Sequence, residues 1–436
     1  LLAISCAPLP RDVKTDPAVE PEKTRADFDS RVNEHSRKLL EEGRETYRYD
    51  SFGSEDFWGG KLRLHEAILG EKQGGVGAGL TPRQALQAGL KVDVGKVPRL
   101  LVEVMREGAV SLDNPETTLE LLRADAVVGV KGVFGEGRKM TAIGITCALC
   151  HSTVDNSFAK GIGSRLDGWP NRDLNVGAIV AMAPTLKPFA DLLGTDEAGV
   201  RKVLLGWGPG RYDAELNLDG RGVRPDGKTA ATLLPAAFGL PGVNLHTYTG
   251  WGSVTYWNAY VANTQMHGKG VFFDPRMKNP TQYPVAARAG LWNIRNSPDL
   301  VTPKLAALHY YQLSIPAPEP PEDSYDKAAA RRGKALFETK AQCATCHVPP
   351  LFTEPGWSMH TAEEIGIDDF QASRSPDQKF YRTTPLGGLF TRQQGGFYHD
   401  GRFANLEAVV AHYSRHLNLG LSNAEQGDLV QYLKSL

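Results

Sequence analysis

Apolar positions recur at helical spacing in a series of segments, separated by stretches rich in glycine and proline. Over residues 28–47, Val32, Leu39 and Leu40 stand among charges and predict a first helix. Residues 52–58 form an aromatic, acidic turn before a second helix bearing Leu62, Leu64, Ala67 and Ile68; His65 there reads as an ordinary core or surface residue. Thr81-Pro82 opens another helix, with threonine as N-cap and proline at the first helical position. Further helices are predicted over about 97–106 and from Asn114-Pro115 to about Leu122, and 126–130 reads as a strand. After a long stretch heavy in glycine, proline and aromatics, an amphipathic helix spans 328–340 and another spans 405–416. Ser422 and Glu425 then make a capping box for a last helix carrying Leu429, Val430 and Leu433. The pattern predicts a mainly α protein with long loops.

At 436 residues the chain has room for two or three domains. A net charge of −1 points neither to nucleic acid nor to an acidic partner. The 46 glycines and 28 prolines favour loop-rich domains over a plain bundle. Gly74 to Gly79 lacks the flanking strand and βαβ unit of a dinucleotide loop and reads as flexible. Leu1-Leu2-Ala3-Ile4-Ser5-Cys6 looks like the end of a signal peptide, with Cys6 as the residue a lipid anchor would use. A leader over 1–26 and export to the periplasm, with or without a membrane tether, follow as expectations. No stretch approaches the ~20 apolar residues of a membrane span.

Chemistry enters at Cys147-Ala148-Leu149-Cys150-His151 and again at Cys343-Ala344-Thr345-Cys346-His347. Both are C-x-x-C-H, the c-type haem attachment signature, in which two thiols bond the haem vinyl groups and histidine becomes the proximal iron ligand. The two copies use four of the five cysteines. Disulfides or a zinc ribbon would leave His151 and His347 without a role and do not suit pairs so far apart. Two covalently attached haem c groups are therefore expected. Haem chemistry turns on the opposite face, where a second protein ligand makes an electron carrier and an open position makes a reaction site.

Arg382-Thr383-Thr384-Pro385-Leu386 is followed by Phe397-Tyr398-His399-Asp400-Gly401-Arg402 and Asn405-Leu406-Glu407-Ala408-Val409-Val410. From about residue 140 onward the chain resembles the bacterial di-haem cytochrome c peroxidase superfamily, which includes MauG and the haem rubber oxygenases. The resemblance implies two cytochrome-like haem domains, one reacting with peroxide and one transferring electrons. The chain then divides into a leader over 1–26 and an added N-terminal helical region over 27–140, both outside the resemblance, a first haem domain over 141–314 and a second over 322–436. The proline cluster at 315–321 serves as the linker.

On this resemblance Leu234-Pro235-Ala236-Ala237-Phe238 parallels the family's T-P-x-L stretch. Trp251 parallels the tryptophan between the haems, with Trp257 as its alternative. For the second haem the family's methionine position falls at Tyr413, flanked by His412 and His416. Imidazole is the better ligand, so His412 is expected, with His416 and Tyr413 as alternatives. His399 is expected to hydrogen-bond near this haem, and the loop at Met359 and His360 to act as a lid. For the first haem, Gln265 stands where the family has an acid-base glutamate. Glutamine cannot shuttle a proton. The role would pass to His267, His246 or a carboxylate such as Asp213 or Glu215, or else Met266 or His267 would cap the iron.

The resulting expectation is a periplasmic di-haem peroxidase, reducing hydrogen peroxide to water with electrons from a cytochrome c or cupredoxin-type donor. The alternatives are a MauG-like or rubber-oxygenase-like enzyme and a plain di-haem electron carrier. Calcium and a homodimer, both common in the family, are carried as candidates, although 391–396 does not match the residues that would supply calcium.

Overall fold

A computed structural model describes residues 21–376 and 379–436, with side chains from residue 27 onward. Cys6 and most of the leader lie outside the described residues. Helix accounts for 45% of the structure and strand for 11%, so the chain is mainly α. The first helix, α1 (Pro21–Tyr49), begins inside the stretch expected to be leader. Proline at its first position and a run of Glu, Lys, Arg and Ala give it ample helix propensity. Its C-terminal half lies on α5 (Leu305–Ser314), and at the crossing Gly43 brings the backbones together: a Cβ there would lie 2.0 Å from Ala307 O.

Locally punctuated elements form where the sequence marks them. Asn114 caps α2 (Pro115–Arg123) by accepting from Glu116 N. Thr81 and Gln84 close a capping box on the short helix Pro82–Gln87. The strand expected over 126–130 begins later, as β1 (Val130–Phe134), and pairs antiparallel with β2 (Met140–Ile145). This hairpin leads directly into the first C-x-x-C-H motif. Farther on come α3 (Glu197–Trp207) and α4 (Val254–Thr264), the latter capped by Ser253. In the last quarter α6 (Lys327–Glu338) crosses α8 (Asn423–Lys434), with α7 (Leu406–His416) packed beside α8.

The core divides accordingly. One apolar cluster runs from Phe57 to Leu234, so residues of the N-terminal region share their interior with the segment around the first haem motif. A second cluster joins Phe337, Leu406, Val410, Leu429, Val430 and Tyr432, with Cys343 packed against it. A third joins Tyr47, Phe52, Ala148 and Met266, with Cys147 at its edge. No helix among the described residues is long and apolar enough to cross a membrane.

The α6–α8 crossing depends on Gly333, where a Cβ would meet Asp428 O at 2.0 Å. Gly333→Ala is expected to lower stability by ~1–3 kcal/mol through overpacking. Gly427→Ala, on the open face of α8, should raise it by ~0.5–1 kcal/mol. Urea unfolding midpoints of the two variants check both signs.

Candidate haem-binding sites

The first motif sits on a single helical turn, Ala148–His151, immediately after β2. His151 Nδ1 lies 3.1 Å from Pro235 O, in the 234–238 segment that paralleled the family's T-P-x-L stretch. A carbonyl oxygen can only accept, so Nδ1 carries the proton and Nε2 keeps its lone pair for a metal. The second motif repeats the device, with His347 Nδ1 2.9 Å from Phe352 O. Burial holds both imidazoles below their ordinary pKa, hence neutral and able to ligate. The four described cysteines are free thiols. Burial pushes Cys147 and Cys150 up to about 12 and Cys343 up to about 11. Two protonated thiols beside an oriented, neutral imidazole are the donor set a covalent haem requires, and the residues fit the group at both motifs.

Opposite the first motif, the end of α4 brings in the segment 265–267. Met266 packs in the cluster that Cys147 borders, and its carbonyl accepts from Trp58 Nε1 at 2.8 Å. Gln265 is buried and fully engaged. Its Oε1 accepts from Tyr212 Oη at 2.7 Å, and its Nε2 donates to Ala214 O, Tyr260 Oη and Thr264 Oγ1 at 3.0–3.1 Å. The amide acts as a pin between α4 and the 212–217 segment. His246 is also committed, with Nε2 3.0 Å from Val243 O. Burial and the nearby Arg382 charge hold it down to about 4. His267 differs. It stacks on Phe57 at 3.5 Å, burial holds it down to about 3, and its buried Nε2 has no partner.

Trp251 is 2% exposed and stands in an aromatic cluster with Trp257, Tyr260 and Tyr256 at 4.9, 5.4 and 5.8 Å. The turn before it is bolted to the second haem region. Arg382 donates Nε to Thr247 O and Nη1 to Leu245 O, and its backbone N to Tyr248 O, each at 2.9 Å. Trp251 thus joins the helix that ends at Gln265 to a turn held by the segment that passes His347.

At the second site α7 directs both of its histidines, His412 among them, onto backbone carbonyls. His412 Nε2 lies 2.8 Å from Ile365 O, and His416 Nε2 lies 3.1 Å from Glu364 O. One turn apart on one face, the two imidazoles stack and dock onto the carbonyl end of the helix Ala362–Ile365. Tyr413 sits about 100° farther round the helix. Burial raises its phenol, and the neighbouring Cys346 and Cys343 raise it further, which places Tyr413 beside the second haem motif. His399 is buried, stacks on Tyr381 at 5.2 Å and is held down to about 4 by burial.

The loop expected to be a lid is anchored. His360 Nε2 lies 2.6 Å from Glu354 Oε2, which also accepts from Thr383 Oγ1 at 2.6 Å. Contact with Cys346 and then Glu354 pushes His360 up to about 9. Cys346, Glu354 and His360 converge closely enough to suggest a metal-ligand trio, but the Cys346 sulfur belongs to the haem motif.

Sequence reasoning missed Arg374 entirely. This guanidinium is fully buried and pairs with Asp213 at 2.9 Å and Asp219 at 2.8 Å. Glu215 lies beside them, and burial raises both Glu215 and Asp213 above the ordinary carboxylate range. Asp213 Oδ2 and Glu215 Oε2 have no partner. Three acids around one base carried no local signal, since Arg374 arrives from a distant segment.

No protein-family model matches the chain. Methylamine utilization protein MauG of Methylorubrum extorquens is 31% identical over 153 residues, which is 30% of this chain and 43% of that protein. The match thus spans less than half of the relative's length. Among solved structures, hydrazine synthase of Kuenenia stuttgartiensis aligns over 51% of this chain and 86% of its own, at 16% identity and a TM-score of 0.30. A MauG-like protein associated with microbial copper homeostasis aligns over 50% and 76%, at 18% identity and a TM-score of 0.31. Two motifs whose histidines are tethered through Nδ1 offer the donor chemistry of a c-type haem protein. The MauG match over 153 residues agrees with that donor chemistry and with the resemblance to the di-haem cytochrome c peroxidase superfamily.

The buried acids generate a pH dependence. Glu215 holds its proton more tightly folded than unfolded, so stability falls as pH rises from its ordinary value of about 4.5 toward neutrality. Glu215→Gln is expected to flatten that decline, measured as Tm against pH. An unchanged slope would mean that Glu215 ionises freely in the fold.

Proposed function

We propose that this chain is a periplasmic di-haem oxidoreductase that takes oxidising equivalents from hydrogen peroxide and passes them to an external substrate, in the manner of MauG. Cys147, Cys150 and His151 would hold the first haem, and Cys343, Cys346 and His347 the second. When bound, the haems supply iron that peroxide can oxidise and that can be reduced again one electron at a time.

The chain's own groups have separable tasks. The Pro235 and Phe352 carbonyls orient the proximal imidazoles and strengthen them as ligands. Near the first motif, Gln265 and His246 are already committed by hydrogen bonds, which leaves His267 Nε2 as the ring nitrogen free to accept and return a proton. Burial keeps that imidazole uncharged at neutral pH, with its lone pair available although weakly basic. The aromatic cluster around Trp251 offers a path for electrons between the two sites.

The observation that carries this reading is Tyr413 beside Cys343 and Cys346. Were Tyr413 to ligate the second haem by losing its proton to the iron's field, it would favour ferric iron and lower the potential, a poor arrangement for relaying electrons toward peroxide and a good one for retaining oxidising equivalents. The peroxidase reading, with a cytochrome c or cupredoxin-type donor, differs at this step because it needs a second haem that is readily reduced. A tether at Cys6 and association with a partner belong to the same proposal.

The test is the midpoint potential of the second haem in holoenzyme and in Tyr413→His. The substitution is expected to raise the potential and to increase peroxide consumption with reduced cytochrome c as donor. If Tyr413→Phe leaves the spectrum, the potential and the peroxide kinetics unchanged, Tyr413 is no ligand and the electron-relaying peroxidase is the better reading.

A further inference from the structure

Within the aromatic cluster beside Trp251, one phenol is directly attached to a base. Tyr256, on α4, donates its hydroxyl to Asp274 Oδ2 at 2.5 Å. Its ring lies 5.8 Å from Trp251 and 6.3 Å from Trp257, and stacks over Tyr260 at 6.4 Å. Asp274 is 3% exposed and also accepts from Arg276, through Nη2 at 2.8 Å and the backbone N at 2.9 Å. Arg276 Nη2 in turn donates to Trp251 O at 3.3 Å. Tyrosine, carboxylate, guanidinium and tryptophan are thus one hydrogen-bonded unit, and none of the tasks assigned above uses the Tyr256 hydroxyl.

Removing an electron from a buried aromatic ring leaves a cation in a medium that screens charge poorly. A buried aromatic side chain holds that oxidation more readily when its acidic proton leaves at the same time. The Trp251 Nε1 hydrogen has no acceptor, so Trp251 can pass an electron but cannot settle as a neutral radical. Tyr256 has the acceptor in place. Burial and the Asp274 charge keep its phenol protonated at rest, so the proton is there to be moved.

We propose that Tyr256 and Asp274 form a proton-coupled redox site, at which an oxidising equivalent passed through Trp251 comes to rest. The inference rests on the peroxide-dependent haem reading above, because the oxidant it names is haem iron oxidised by peroxide. In the step, the Tyr256 O–H bond breaks. The electron travels through Trp251 and reduces the oxidised haem by one equivalent, and the proton moves to Asp274 Oδ2. A neutral tyrosyl radical and a neutral carboxyl result, while Arg276 keeps its charge and its hold on Trp251 O. An electron from an external substrate reverses the step, with the proton returning to the phenol oxygen.

The experiment is rapid-freeze EPR of the full-length holoenzyme mixed with hydrogen peroxide, with ordinary and with ring-deuterated tyrosine. A radical signal that narrows on deuteration is expected. It should be lost in Tyr256→Phe, which leaves the Asp274–Arg276 pair and the Trp251 contact in place, and in Asp274→Asn, which keeps the shape but removes the base. Haem content and circular dichroism of the variants control for folding. A purely structural role would change their stability and leave the radical intact. A tyrosyl signal that persists in Tyr256→Phe, or a radical insensitive to tyrosine deuteration, overturns the proposal while the haem spectrum still responds to peroxide. A haem spectrum that does not respond at all overturns the haem reading together with this one.

Discussion

The structure turns on one hydrogen bond made twice, from a histidine Nδ1–H to a backbone carbonyl. An imidazole has two nitrogens, and tethering one decides which way the other faces and which tautomer it adopts. His151 is tethered to Pro235 across 84 residues, and His347 to Phe352 only five residues on. The first site therefore depends on long-range folding, with its proximal carbonyl delivered by the distant 234–238 segment. The second is built largely by its own loop and by helices α6, α7 and α8. Both give the same product, a neutral imidazole with an aimed lone pair beside two thiols.

The two sites are coupled by ionic and polar bolts. Arg382 holds the turn before Trp251, and Arg374 enters the acidic pocket beside Gln265. A guanidinium has several donors in a fixed plane, so it can satisfy separate carbonyls or carboxylates at once, which suits a junction between segments. Its burial is tolerated because oppositely charged partners surround it, and removing either side would leave an uncompensated charge. The aromatic cluster lies between these bolts, with Tyr256, Trp257 and Tyr260 all projecting from α4. Its geometry is therefore set by the same contacts that join the haem regions.

How much of this is legible in sequence depends on the range of the interaction. Thr81 with Gln84, Asn114, Asn405, and Ser422 with Glu425 mark helix starts because a cap is satisfied within three residues. The early start of α1 was hidden because a charged, proline-bearing stretch resembles disordered sequence, while its helix is secured by packing far downstream on α5. At 412–416 the residue types suggested imidazole ligation. In the fold the carbonyls of the helix Ala362–Ile365 take up the histidine face of α7, and Tyr413 lies toward the cysteines. The sequence singled out Gln265 for the first site, and only the fold shows that its amide is saturated.

The sequence by itself determined the spacing of the two C-x-x-C-H motifs, the mainly helical class and the positions of the capped helices, since covalent spacing and local hydrogen bonds need no distant partner. Only the tertiary structure decided which carbonyl orients His151, which side chain of α7 faces the second motif, and that Arg374 is buried among three acids. The physical reason is common to all three. The two faces of a metal site, and the charges that balance a buried group, are supplied by segments far apart in the chain, and their meeting depends on the packing of every element between them.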